Sequence, residues 1–463
     1  MDDDKGKNKA HCLIIPYPTQ GHVNPMLQFA NRLTHKGIRV TIALTKFLLT
    51  KSTNGPSFGP ISAREISDGF DSGGRAEAKS SEEYQARFEC VGRETLTGLL
   101  LDLAGTGRPV DCVVYDSFIP WAVDVAKGLG LFGAAFFTQS CTVDAIYYLV
   151  YKGELKLPVD GEAVVAAAPG LPEMRSEDLP SFVYDYGSYP GTFRLLLNQF
   201  RGLEKAEWIF INTFDQLEKE VLEWMSRFWR GKAIGPTIPS TYLDKQLDND
   251  KHHNLNILGP PSITSIDWLN RQHPKSVVYV SFGSLAELTP QQTEELAWAL
   301  AACGKHFLWV VRSSEQPMLP PNFTHDDVSG KGLVVPWAPQ VEVLAHPATG
   351  CFVTHCGWNS TLEGLCSGVP MVAMPQWTDQ STNAKLVTDV WALGMRARKD
   401  EFGIVKKGEI VSCVRRVMEG DEGRVIRSNA GRWREVAREA MGRGGSSDRN
   451  IDEFAKGLMN LHA

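Results

Sequence analysis

Taking a proton from a weak nucleophile needs a base that titrates near neutrality and a partner that holds it in one tautomer. Histidine has the right unperturbed pKa. A carboxylate on its second ring nitrogen fixes the tautomer and stabilises the imidazolium that forms. His22 and Asp116 have these side chains in a suitable pattern. His22 lies in a glycine-containing loop after the apolar run His11 to Pro16 (HCLIIP), and Asp116 follows the run Asp111 to Tyr115 (DCVVY). If both runs are parallel strands of one sheet, both residues stand at carboxyl ends and face one crevice. The pattern alone leaves two ordinary alternatives open, a solvated loop histidine and an aspartate that caps the next helix.

A denser group lies between Trp337 and Gln380, in WAPQVEVLAHPATGCFVTHCGWNSTLEGLCSGVPMVAMPQWTDQ. Cys351 to Thr354 suits a buried parallel strand. The chain then turns at Gly357, with Asn359 and Ser360 as N-cap candidates and Thr361 and Glu363 opening a helix. A helix that begins past the carboxyl end of a parallel strand offers free N–H groups and partial positive charge to a phosphate. His355 at the strand tip suits a phosphate oxygen, and Trp337 has a π-face of nucleobase size. Glu363 suits ribose hydroxyls, and Asp379 with Gln380 suits the hydroxyls of a sugar. Alone, Trp337 reads equally well as a core or rim aromatic, and Trp358 to Ser360 as a turn and a cap. His355, Cys351, Cys356 and Cys366 lack the spacing of a tetrahedral zinc site.

These residues need a scaffold that repeats strand, loop and helix. After HCLIIP come YPTQGHVNPM, a helical run ending at Lys36-Gly37, and a second strand from Ile38 to Leu44. A helix is expected from Glu82 to Leu103, strands at Asp111 to Tyr115 and Gly133 to Phe137, and a helix at Pro120 to Gly128 between them. Pro158 to Pro190 is irregular and rich in Pro, Gly and aromatics, as segments that line or cover sites often are. Trp208 to Asn212 is expected to close the first sheet. The second half repeats the pattern with a helix at Ser265 to Asn270, strands at Val277 to Phe282 and His306 to Arg312, a Gly283-Ser284 turn and a helix at Pro290 to Ala302. Two such halves imply an α/β protein of two facing Rossmann-like domains. The expected division is 1–240 for the first domain, 241–262 for a polar linker, 263–445 for the second domain, and 446–463 for a terminal helix returning to the first.

At 463 residues the chain exceeds one ordinary core. A formal net charge of -6 disfavours a nucleic-acid surface. The apolar window Leu131 to Val150 is broken by Gln139 and Asp144, against a membrane span. Nine cysteines without CxxC pairs fit reduced thiols, and Met1 to Ala10 has no secretory pattern, so a cytoplasmic protein is expected.

The stretch from Trp337 to Gln380 resembles, nearly throughout, the signature box of plant family 1 UDP-dependent glycosyltransferases. TQGHVNPMLQF and DSFIPWAVDVAK are similar to the same family near the amino end. The resemblance implies a GT-B fold with the site in the interdomain cleft, His22 as base and Asp116 as its partner. It implies a UDP-sugar donor held by Ser284, Trp337, Ala338, Gln340, His355, Gly357, Trp358, Asn359, Ser360, Glu363, Asp379 and Gln380, with the strand-end hydroxyl of Thr138 added. Glutamine at the end of such a box accompanies glucose donors, which makes UDP-glucose the expected co-substrate. The implied reaction inverts the anomeric carbon through an oxocarbenium-like transition state. Fixed donors at the diphosphate stand where other enzymes use a metal, so no metal and no further cofactor are expected.

The acceptor is expected to be a hydrophobic small molecule (a steroid, phenolic or flavonoid, or terpenoid) glycosylated on a hydroxyl. Phe118, Trp121, Phe137, Tyr147, Phe182 and Tyr184 are the aromatics near the expected loops, each equally compatible with the core. Ester or thioglucoside formation, a sugar-nucleotide epimerase and a non-catalytic UDP-sugar sensor are the competing readings; loss of His22 or Asp116 would mark the sensor, and both are present. A monomer is expected.

Overall fold

The computed structural model describes residues 10–51, 58–159, 168–247, 250, 263–321, 323 and 331–462. The first sheet contains β1 (His11–Ile15), β2 (Arg39–Thr45), β3 (Ser62–Ile66), β4 (Cys112–Asp116), β5 (Phe132–Phe137), β6 (Trp208–Ile211) and β7 (Gly231–Ala233). They run parallel in the order β3-β2-β1-β4-β5-β6-β7. The second contains β8 (Val277–Ser281), β9 (His306–Val310), β10 (Gly332–Val335), β11 (Thr349–Thr354), β12 (Met371–Ala373) and β13 (Gly394–Arg396). These are also parallel, in the order β10-β9-β8-β11-β12-β13. Sheets with helices on both faces need strands that are apolar throughout, and the chain supplies them. In β1, Cys12 and Ile14 enter one core while Leu13 and Ile15 enter the other. In β8, Val277 and Tyr279 face one way and Val278 and Val280 the other.

In each sheet the strand order reverses once, between β1 and β4 and between β8 and β11. Connections that diverge from such a point leave a crevice beyond the strand ends. His22 follows β1 and Asp116 ends β4, while Gly283 follows β8 and His355 follows β11. Topology alone thus sets both pairs at the mouths of two opposed crevices.

Three features differ from the sequence expectations. The first sheet is closed by β7, a strand of three residues too short to show a period, and not by β6. The first helix begins at Gln20, so His22 belongs to its first turn and not to a loop. The helix of the signature box begins at Trp358 with Gly357 at the N-cap, ahead of Asn359 and Ser360. In the expected linker, Arg32 makes two hydrogen bonds of 2.7 Å to Asp244, and Asp250 accepts from the Thr241 hydroxyl at 2.6 Å. The rest of that linker, residues 248–249 and 251–262, lies outside the described residues.

The helix Ser446–Met459 packs on the first sheet. Phe454 sets its ring 4.9 Å from Phe210 and 5.3 Å from Trp208, and Ser447 Oγ donates to the Gly235 carbonyl at 2.6 Å. The chain therefore crosses between the domains twice.

Candidate active site

A cavity of about 520 Å³ lies between the domains, walled by residues from the carboxyl ends of both sheets. On its wall His22 Nδ1 stands 2.7 Å from Asp116 Oδ2, and Asp116 is wholly buried behind it. The second carboxylate oxygen accepts the Phe118 backbone N–H at 2.9 Å, so the partner cannot rotate freely. With Nδ1 directed at the carboxylate, Nε2 is the nitrogen left to take a proton. Thr138 Oγ1 is 3.1 Å from the same Nδ1, so this hydroxyl adjoins His22 on the cavity wall.

On the opposite wall His355 is buried between two glycines. A Cβ at Gly283 would fall 2.8 Å from its ring and one at Gly357 would fall 2.5 Å away. Gly283 also has φ +74, a conformation that side chains disfavour. Burial pulls the His355 pKa down to about 4, so the ring is neutral at pH 7. Its Nδ1 is buried with no protein partner, a polar atom that a ligand oxygen would satisfy. Beside it, Gly357 gives the signature helix no side-chain cap, and the first intrahelical bond is Thr361 N–H to Gly357 O. The N–H groups of the first turn therefore face the cavity mouth unclaimed by that helix.

Gln340 links three groups. Its amide donates to Ser360 Oγ at 2.8 Å and to Glu363 Oε2 at 2.6 Å, and its oxygen accepts from Tyr279 at 3.2 Å. It orients Glu363, whose pKa burial pushes up to about 7. Trp337 and Ala338 line the same wall. Asp379 accepts from Thr378 Oγ1 at 2.6 Å and from Asn383 Nδ2 at 2.7 Å, while burial raises its pKa. Gln380 Oε1 accepts the N–H groups of Gln376 and Trp377 at 2.9 and 3.1 Å. Gln380 lines the cavity, and its NH₂ takes part in neither of these bonds.

Two residues expected to hold the donor have their side-chain donors committed across the domain boundary. Trp358 Nε1 donates to the Asn212 carbonyl at 2.7 Å, and the ring packs 6.2 Å from Trp391 in the core. Asn359 Nδ2 donates to the Gly21 carbonyl at 2.7 Å. That carbonyl is available because its helical partner four residues on is Pro25, which has no N–H. The proline thus frees an acceptor one residue before the base, and the signature helix of the other domain takes it.

The expected acceptor aromatics divide. Phe118, with its ring 4.7 Å from that of His22, and Phe182 line the cavity. Trp121 does not: it is buried edge-on against Phe88 at 5.5 Å, with Gly92 too close for any Cβ. Phe137 is buried in the core, where it packs on Phe200 and Trp229. Tyr147 is fully buried, and Tyr184 is 41% exposed away from the cavity.

Sequence reasoning missed several wall residues. Tyr17, two residues past β1, sets its ring 5.6 Å from Phe118, and its place at a strand end was the available signal. Leu195 and Leu196 come from the helix Pro190–Asn198, which no motif marks. Arg312, at the tip of the β9 run, donates to the Ser284 and Ala286 carbonyls at 2.5 and 2.7 Å and pairs with Glu315. It pins the Gly283-Ser284 loop. Among the described residues no three His, Cys, Asp or Glu side chains converge as metal ligands, and no helix is long and apolar enough to cross a membrane.

Residues 259–424 match the family model described as UDP-glucoronosyl and UDP-glucosyl transferase. The chain is 43% identical over 451 residues to UDP-glycosyltransferase 74E2 of Arabidopsis thaliana, covering 96% of this chain and 98% of that one. It is 44% identical to the mogroside I-E synthase of Siraitia grosvenorii, covering 97% and 98%, and 44% identical to the indole-3-acetate beta-glucosyltransferase of Zea mays, covering 96% and 98%. The crystal structure of Os79 from O. sativa in complex with UDP superposes with a TM-score of 0.91 at 41% identity, over 96% of this chain and all of that one (100%).

Proposed function

The chain belongs to the plant UDP-glycosyltransferase family, and on that premise we propose that it moves glucose from UDP-glucose to a hydroxyl of a hydrophobic small molecule, with inversion to a β-glucoside. The observation that carries this is His22 Nδ1 held 2.7 Å from buried Asp116, on the same cavity as the signature-box residues. His22 Nε2 takes the acceptor proton, and Asp116 stabilises the resulting imidazolium. The acceptor oxygen attacks the anomeric carbon from the face opposite UDP, and the C1–O bond to the diphosphate breaks. Negative charge growing on that leaving group is met by His355 and the open N-terminus of the helix at Trp358. Such fixed donors meet the leaving-group charge without a metal or further cofactor. Trp337 stacks the uracil, Glu363 accepts from the ribose, and Asp379 with the Gln380 NH₂ addresses the glucose hydroxyls.

Tyr17, Phe118, Phe182, Leu195 and Leu196 give the acceptor end its apolar wall, which suits a flat or fused-ring molecule. The relatives' names include a flavonol 7-O-beta-glucosyltransferase, a mogroside synthase and an indole-3-acetate glucosyltransferase. We take the enzyme to act as a cytoplasmic monomer.

The test is a mass-spectrometric assay with UDP-glucose and a mixed panel of alcohols, phenols and acids. A product heavier by one hexose is expected, formed roughly 10²–10⁴-fold more slowly by His22→Ala. The anomeric proton coupling of the product checks inversion. Undiminished turnover in the variant removes His22 from the mechanism.

A further inference from the structure

We propose that Ser181 is a positioning residue of the first domain that sets the donor's sugar-binding turn in the second, and so contributes to sugar selectivity. This rests on the assignment of Asp379 and Gln380 to the sugar. The turn that carries them runs from Trp377 to Gln380, and at Thr378 it has φ +61. A β-branched residue disfavours that left-handed conformation and keeps it only where its surroundings impose it.

Those surroundings belong to the other domain. The Thr378 N–H donates to Ser181 Oγ at 2.7 Å, and the Ser181 N–H donates back to the Thr378 carbonyl at 2.8 Å. Both backbone polar groups of the strained residue are thereby held by Ser181. Around this pair the segment from Asp178 to Phe182 lies along the turn like a strap. Ser381 Oγ donates to the Leu179 carbonyl at 2.5 Å and Thr382 Oγ1 to the Asp178 carbonyl at 2.7 Å. Asp178 pairs with Arg396, and Phe182 meets Trp377 edge-on at 5.9 Å. Phe182 and Trp377 both line the cavity.

The consequence is directional. Thr378 Oγ1 and Asn383 orient the Asp379 carboxylate, and the Trp377 N–H fixes the Gln380 amide. A turn that relaxes at Thr378 therefore moves both sugar-facing groups together, while Trp337, His355 and Glu363 sit on other segments and keep their hold on UDP.

The experiment compares wild type with Ser181→Ala, Ser181→Thr and Thr382→Val for steady-state kinetics with UDP-glucose and UDP-galactose, inhibition by UDP, and thermal unfolding. Ser181→Ala is expected to raise the KM for UDP-glucose roughly tenfold, the scale of one lost buried hydrogen bond, and to narrow the glucose-over-galactose preference. The UDP inhibition constant stays within about twofold, since no UDP-facing segment moves. Ser181→Thr, which keeps the hydroxyl, restores most of the preference. Thr382→Val cuts the same strap away from the turn and lowers thermal stability without changing the preference. Equal losses in UDP and UDP-glucose binding, or an unchanged preference in Ser181→Ala, overturn the proposal. Gln380→Ala is the control on the underlying assignment. If it too leaves sugar preference unchanged, the assignment of the turn to the sugar fails, and not merely its control by Ser181.

Discussion

The two ends of the cavity are built in opposite ways. The end proposed for the donor comes largely from one stretch, Trp337 to Gln380, with Gly283 to Ser284 and Arg312 beside it. Its groups are polar, buried and tied to one another, as in the chain from Tyr279 through Gln340 to Ser360 and Glu363. The end proposed for the acceptor is assembled from Tyr17, Phe118, Phe182 and the helix Pro190–Asn198, which are distant in sequence and bring mainly apolar side chains to the cavity. A phosphate or ribose demands particular atoms at fixed spacing, so its site is written as a motif. An apolar acceptor demands only a shape, which many residue combinations provide. The first kind of site can be recognised in a sequence and the second has to be folded first.

That contrast can be broken experimentally. The largest expected effect is on an aromatic that sequence placed at the acceptor end and the structure places in the core. Trp121→Ala should cost about 3–5 kcal/mol of stability through the cavity it leaves, measured by denaturant unfolding, with the acceptor KM of the folded enzyme little changed. A large KM effect would return Trp121 to the pocket. Next, Gly357→Ala forces a Cβ against His355, at a cost of about 1–3 kcal/mol for such overpacking. It should raise the KM for UDP-glucose at least several-fold and leave the acceptor KM unaltered, and the reverse pattern would contradict the assignment of this wall to the diphosphate.

Phe118→Ala tests the other end. The acceptor KM should rise roughly tenfold, about the value of one well-placed aromatic contact, while calorimetric affinity for UDP holds. The smallest effect concerns Glu363. Burial raises its pKa to about 7, and donation from ribose hydroxyls favours the ionised form. Binding therefore releases a proton below that pKa, and affinity increases with pH. Uridine, which lacks phosphate titration, should bind several-fold more tightly at about pH 8 than at about pH 5.5. Glu363→Gln should flatten the profile. A slope that survives the substitution assigns the titration elsewhere.

Sequence legibility follows the same division. Strand runs such as HCLIIP and DCVVY are buried on both faces, so they declare themselves by composition, and the βα alternation then dictates parallel order. The three-residue β7 could not, because it is shorter than any period. His22 was legible as a candidate, yet its place in a helix was hidden by Gly21 and Pro25, both poor signals for a helix start. Trp358 and Asn359 were legible as part of the box, but nothing local says that their donors reach Asn212 and Gly21 in the other domain.

By itself the sequence determined the two-domain α/β plan, the signature motif and the residue types of the candidate pair His22 and Asp116, because periodicity, a contiguous stretch and a place after an apolar run are each read locally along the chain. Only the tertiary structure decided which of the expected aromatics line the cavity, which hydrogen-bonding groups are used between domains, and that Ser181 bonds the turn at Thr378, 197 positions away. Those outcomes depend on side-chain direction and on which surfaces meet when the domains pack, and a linear pattern carries neither.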